Sequence, residues 1–236
     1  VVKGGVPKQL EFLPVSELVS ETVPDWEFDA LVISGCSVRD RVKHEGILQL
    51  HIPTINLDHH PDNQMYGEVN VVDHTKSSVA ELTYDFFKFA EWELTYEISL
   101  CLLTGIVTDT GVFMHSNTQA STLAAAAELM TKGARVSTVT KHTYEGKDLE
   151  SLKAWSKALG NAHYDPAKQM IYSIITAEEL DTLGNPPLSA FEGIVETLNK
   201  VPEAKFAMFL KQDDNVIKGS LRSEEYKGVD VQAIAQ

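Results

Sequence analysis

Residues 58–60 read Asp-His-His and close an apolar run, Ile52 to Leu57, ahead of Pro61, Asp62 and Asn63. All three side chains can bind a metal. Imidazole combined with carboxylate suits manganese, iron or zinc better than calcium. Adjacent side chains on an extended chain point to opposite sides, so the three are not expected to grip one ion together. One histidine can ligate while the aspartate orients it or its neighbour, and the remaining histidine can donate to a phosphate. The competing reading is a polar loop with two surface histidines.

A second candidate is Gly105 to Phe113, GIVTDTGVF. An apolar helix, Ile98 to Val107, runs into Thr108-Asp109-Thr110-Gly111. A carboxylate at that end opposes the helix dipole, and a cation would compensate it; otherwise Asp109 simply opens a turn with Gly111. A third is Lys218 to Ser223, KGSLRS, on an expected strand. Lys218 and Arg222 could clamp a phosphate, the arginine through both arms of its fork, or they are solvated charges on a strand edge. Asp73-His74 looks like a ligand pair, but it follows a short strand and reads better as the lead into a helix cap.

The elements that position these residues follow from hydrophobic spacing. Glu27 to Ile33, part of Leu50 to Leu57, and Gly67 to Val72 read as strands. Arg39 to Glu45 reads as a short helix. Ser77 or Ser78 begins another, with Glu81 completing a capping box, and Val79, Leu82, Phe86 and Phe89 share its expected apolar face. Tyr96 to Val107 is a helix. Asn117 or Thr118 caps the next, through Ala124 to Met130, and Lys132-Gly133 ends it. Strands joined by helices predict a parallel sheet, which binds ligands beyond the carboxyl ends of its strands. Asp58 to His60 stand there.

Past residue 145 the pattern changes. Leu149 to Leu159 is helical, Met170 to Ile175 a strand and Ala177 to Leu183 a helix. Asn185-Pro186-Pro187 is a loop. Ala204 to Lys211 and Val216 to Arg222 form a hairpin about Asp213-Asp214-Asn215. The fold class is therefore α/β in two units, residues 1–140 and 160–236, with 141–159 as a helical linker.

A chain of 236 residues can build a sizeable core. No apolar run is long enough for a membrane span and no signal peptide is visible, and a cytoplasmic protein is expected. Cys36 and Cys101 lie in apolar segments and read as reduced buried thiols. The net charge of −14 argues against holding long nucleic acid on a basic surface. It leaves room for a small phosphorylated substrate. The chain starts Val1-Val2-Lys3 and stops at Gln236, as a piece of a longer polypeptide would.

Asp58-His59-His60 with Pro-x-Asn after it, Ser77-Ser78-x-x-Glu81, and Gly-Ile-x-Thr-Asp-Thr-Gly at 105–111 with Asn117-Thr118 together resemble the DHH phosphoesterases. Order and spacing match over residues 29–135, and Lys218 to Ser223 is similar to that family's associated C-terminal domain. The subgroup it looks most like is the short oligoribonuclease (nanoRNase) and 3′-phosphoadenosine 5′-phosphate phosphatase proteins. RecJ exonucleases share the motifs but are longer. The resemblance implies a parallel-sheet DHH domain followed by a smaller α/β substrate-binding domain, and a cleft that takes a short oligonucleotide or nucleotide but excludes duplex. It also implies two manganese ions that activate water and offset charge at phosphorus. By motif, His59 and Asp109 are metal ligands, Asp58 supports the site and His60 faces the scissile phosphate. Arg222, with Lys218 and Ser220, holds the substrate. No membrane partner is implied, and a homodimer is permitted.

The chain departs from the family in three places. The opening His-x-x-x-Asp-x-Asp motif has no match. Gly35 stands where a metal-ligating aspartate is expected, six residues before Arg41. The Gly-Gly-Gly-His loop expected after Val229 to Ala235 is not in the chain. His59 and Asp109 alone would not hold two ions. Three explanations compete: natural segments outside this chain, a variant metal site, or a degenerate relative that binds nucleotides without cleaving them. A manganese pyrophosphatase, whose family also uses Asp-His-His, is a further alternative.

Overall fold

The computed structural model describes residues 1–25, 27–42, 44–143, 149–213, 216–224 and 227–234. The chain divides into two compact units, Val1–Glu145 and Gly146–Gln236. Among the described residues no helix is long and apolar enough to cross a membrane.

The first unit carries strands β1 (Leu31–Ser34), β2 (Thr54–Asp58) and β3 (Val69–Val72). They form a parallel sheet in the order β1-β2-β3, as the alternation of strands and helices predicts. Ser34 pairs with Leu57, and Asp58 with Val72. Asp58 is thus the last residue of its strand, and His59 and His60 project from the carboxyl end. Side chains alternate between faces. Ile33, Asn56 and Asp58 are buried, while Val32, Val69 and Val71 on the other face are exposed. β1 is shorter than expected. The segment after it is a single 3₁₀ turn, Arg39–Arg41, followed by helix α1 (Glu45–Leu48), rather than one helix.

Helices α2 (Val79–Phe89), α3 (Tyr96–Asp109), α4 (Ala120–Thr131) and α5 (Val136–Thr143) complete the unit. Leu103, Ile106 and Val107 of α3 are fully buried, each worth roughly 1.5–3 kcal/mol, and they centre a core shared with Tyr84, Leu129 and Val139. α2 buries the face that spacing indicated only in its first half, partly at Val79 and fully at Leu82. Leu82 and Tyr84 go inward, whereas Phe86 and Phe89 lie outside and Trp92 packs edge-on against Phe86 and Phe87. α2 and α3 approach closely at Gly105, where a Cβ would come within 2.6 Å of Ala80 Cβ.

The second unit has helices α6 (Leu149–Gly160), α7 (Ala177–Thr182), α8 (Ile194–Leu198) and α9 (Val231–Ile234). Its sheet runs β4 (His163–Asp165), β5 (Met170–Ile175), β6 (Phe206–Asp213), β7 (Val216–Arg222) in that order. β5 and β6 are parallel, and β6–β7 is the expected antiparallel pair. Asp214 and Asn215 of the expected turn, and Ala235, lie outside the described residues. Ala154 and Ala158 of α6 join Ile175, Ile194 and Phe209 in this unit's core. α7 opens with a capping box between Thr176 and Glu179. Cys36 and Cys101 are free thiols, partly buried.

Candidate metal and phosphoester site

Asp58 is fully buried, and both its oxygens are engaged. Oδ1 accepts the backbone N–H of His59 at 2.7 Å and the ring Nδ1 of His60 at 2.7 Å. Oδ2 accepts from Asn63 Nδ2 at 2.6 Å. Burial alone would raise the pKa of this carboxyl, but the hydrogen bonds from His60, Asn63 and two backbone amides outweigh it and hold the group below its usual range. Asp58 therefore orients its surroundings. Asn63 is itself fixed. Its Oδ1 accepts from Asn56 Nδ2 at 2.7 Å, and that same nitrogen donates to Asn70 Oδ1 at 3.0 Å. Three amides thus run from β3 across β2 to the Asp58 carboxylate.

His59 is set by a different partner. Its Nδ1 lies 3.2 Å from the Lys76 carbonyl oxygen. A carbonyl can only accept, so Nδ1 carries the proton and the Nε2 lone pair is left free. Nε2 faces Asp109 Oδ2 at 3.5 Å. Two acceptors at that separation need a cation or a proton between them. Asp109 is the last residue of α3, at the negative end of the helix, where its charge adds to the need. Crowding by protein raises its pKa, opposed by His59, His60 and His115, although the side chain is still half-exposed. Although alternation on an extended chain would separate them, one potential ligand atom on each of Asp58, His59 and His60 lies within 4.8 Å of the others. The residues fit a divalent ion held by His59 and Asp109, with Asp58 behind them.

The structure brings Asp58, His59, His60 and Asp109 together at the end of β2. Gly35 stands beside them, its N–H donating to the Leu57 carbonyl at 3.0 Å. In the second unit Lys218, Ser220 and Arg222 share one face of β7 by alternation. Lys218 pairs in register with Lys211, and Arg222 Nε donates to Glu196 at 3.0 Å. Asp73 forms a turn instead of a ligand pair, its Oδ1 accepting from the Thr75 amide and hydroxyl.

Three residues of the site have roles that spacing does not reveal. His115 Nδ1 donates to the Asp109 carbonyl at 3.1 Å. Asn117 is not the N-cap of α4; that residue is Gln119. Asn117 Nδ2 instead donates to the Ser77 carbonyl at 2.9 Å and lies 3.3 Å from the Asp109 carbonyl. Glu81 does not reach back to Ser78, although the Ser78 hydroxyl does accept the Glu81 amide. Its carboxylate takes the Ser77 amide and hydroxyl, together with Ser121 and Thr122 of α4. Burial would raise its pKa, but these donors hold it down.

No protein-family model matches the chain. Curated relatives do. A bifunctional oligoribonuclease and PAP phosphatase NrnA of Thermus thermophilus is 29% identical over 233 residues, covering 97% of this chain and 67% of that protein. The protein of the same name from Bacillus subtilis is 28% identical over 174 residues, covering 72% and 54%. A probable one from Streptococcus mutans is 30% identical over 129 residues, covering 55% and 41%. The chain thus spans between 41% and 67% of the length of these relatives. In fold it is similar to an exopolyphosphatase-related protein from Bacteroides fragilis, with a TM-score of 0.84, 21% identity, and 92% of this chain and 67% of that one covered. These relatives bear out the likeness that the motifs carry: the chain is a homologue of the oligoribonuclease and PAP phosphatase proteins of the DHH phosphoesterase family.

Proposed function

We propose that this protein is a manganese-dependent phosphoesterase that hydrolyses short oligoribonucleotides or small nucleotide phosphoesters in the cytoplasm. The observation that carries the reading is His59 Nε2 facing Asp109 Oδ2 at 3.5 Å, two acceptors poised for one cation. An imidazole nitrogen and a carboxylate oxygen are ligands that manganese takes readily. A bound ion would supply Lewis acidity, acidifying water and offsetting charge on the phosphoryl group. His60 keeps a proton on Nδ1 against Asp58, and its side chain is partly exposed, which leaves Nε2 to meet substrate. With a second proton there, it donates to a phosphate oxygen. Lys218, Ser220 and Arg222 of the second unit are the residues we assign to substrate binding, as the family likeness implies. The names of the curated relatives support this substrate class.

Gly35 favours a second reading, a relative that binds nucleotides without cleaving them, because the expected aspartate is missing. One experiment separates the two. Hydrolysis of a fluorescent RNA dinucleotide and of 3′-phosphoadenosine 5′-phosphate is followed with manganese, beside a His59→Ala control. Turnover that requires both manganese and His59 supports the enzyme. Nucleotide binding with no turnover above the control replaces it with the second reading.

A further inference from the structure

Glu81 lies outside the metal-binding pair, yet it is one of the most completely buried side chains in the protein, with 1% of its surface exposed. Its Oε2 accepts from the Ser77 amide at 3.0 Å, the Ser77 hydroxyl at 2.6 Å and the Thr122 hydroxyl at 2.8 Å. Its Oε1 accepts from the Ser121 hydroxyl at 2.8 Å and has the Lys76 ammonium at 3.7 Å. One carboxylate thus ties the turn at residues 76–78 to the first turn of α4.

That turn is what the site hangs on. The Lys76 carbonyl accepts the His59 Nδ1 proton and so selects its tautomer. The next carbonyl, of Ser77, accepts from Asn117, which also reaches the Asp109 carbonyl. Two successive carbonyls therefore aim the two residues that face each other across the candidate metal position. The Ser77 amide shares its peptide plane with the Lys76 carbonyl, so a carboxylate that fixes that amide and the Ser77 hydroxyl fixes where the first carbonyl points and pins the residue that carries the second.

We infer that Glu81 is a positioning residue: by clamping the turn at Lys76 and Ser77 to α4, it holds His59 in the Nδ1–H tautomer and sets the spacing of His59 and Asp109. The consequence for affinity rests on the proposed metal role of that pair, whereas the tautomer does not. The action is geometric. Glutamine, of the same length, should substitute well, since the three hydroxyls can rotate to suit an amide. Aspartate, which keeps the charge but withdraws it by one methylene, should not reach both the turn and α4.

The test uses two readouts on wild type, Glu81→Gln and Glu81→Asp. Histidine ring tautomers are read by long-range nitrogen–proton NMR on metal-free protein, at a pH where imidazoles are neutral. Manganese affinity is read by titration calorimetry. Wild type and Glu81→Gln should show His59 as the Nδ1–H form and agree in affinity within about threefold. Glu81→Asp should show a mixture of tautomers and lose about 10- to 100-fold in affinity, the usual effect of disturbing a residue behind a metal ligand. Should Glu81→Asp fail to fold, Ser77→Ala removes one arm of the clamp, keeps the bonds from Glu81 to Ser121 and Thr122, and should give the same changes at smaller amplitude. A His59 signal and an affinity unchanged in the folded variants would overturn the inference, leaving Glu81 a stability residue. Loss in Glu81→Gln with Glu81→Asp retained would also overturn it, because charge and not geometry would then matter. If wild type binds no manganese, the metal reading fails while the tautomer result still decides the role of Glu81.

Discussion

The N–H of Gly35 donates to the Leu57 carbonyl at 3.0 Å, which places the end of β1 directly beside Asp58. Gly35 has φ +66°, and a Cβ built on it meets only Val79 Cγ2, at 3.9 Å. Space is available for a side chain, and aspartate tolerates the left-handed region better than most residues. Gly35→Asp should fold at a cost of about 1 kcal/mol and bind manganese about tenfold or more tightly, read by calorimetry. Unchanged affinity would show that a carboxylate here does not reach the site.

Asp109 should separate stability from binding. It puts a negative charge at the negative end of α3, next to protein that raises its pKa. Asp109→Asn should stabilise the metal-free protein by about 0.3–1 kcal/mol, read as a higher melting temperature, while abolishing measurable manganese binding. A variant that melts lower and still binds the ion would contradict both halves.

The close crossing of α2 and α3 gives a packing test. Gly105→Ala puts a methyl within 2.6 Å of Ala80 Cβ and should destabilise by about 1–3 kcal/mol in denaturant melts. Ala80→Gly should recover much of this in the double variant, because the two positions share one contact. Simple additivity would place the strain elsewhere.

Glu179 gives the second unit an acid-sensitive element. Lys157 first, then the Thr176 amide and Asn161, hold its pKa down to about 2, against an ordinary value of 4.5. The folded state thus binds the proton more weakly than the unfolded chain. The stabilisation is complete above 4.5 and fades as pH falls toward 2. Circular-dichroism melts should show Glu179→Gln less stable than wild type at about pH 6, and the gap should close by about pH 2. A gap that persists in acid would rule this out.

Several of these features were readable in the residues. Asp58-His59-His60 declared itself because an apolar strand ends there and strand ends are where parallel sheets bind ligands. The sheet itself was legible from β-branched runs separated by helices. The work of Asn117 was not, since its partner Ser77 lies 40 residues earlier and local spacing could only offer a cap. Glu81 had the spacing of a capping box, yet the hydroxyls it binds on α4 are brought to it by tertiary packing. On α2 spacing finds Leu82 but not the exposure of Phe86 and Phe89, which look like core by composition, while Tyr84 buries its ring and finds Glu128 for its hydroxyl at 2.6 Å. A half-polar side chain can outcompete a phenylalanine for the interior when a partner is waiting.

The file of amides from Asn70 through Asn56 and Asn63 to Asp58 also sets a chemical shelf life. Each amide is oriented by its neighbour, and Asn63 must present its nitrogen to the Asp58 carboxylate. Asparagine is thermolabile, and its deamidation product is an aspartate. At Asn63 that change would turn a donor into an acceptor and set a second negative charge against Asp58. A gain of about one mass unit, invisible on a gel, would disturb the carboxylate that holds His60, so the age and heating history of a sample would bear on the geometry of this site before any unfolding was seen.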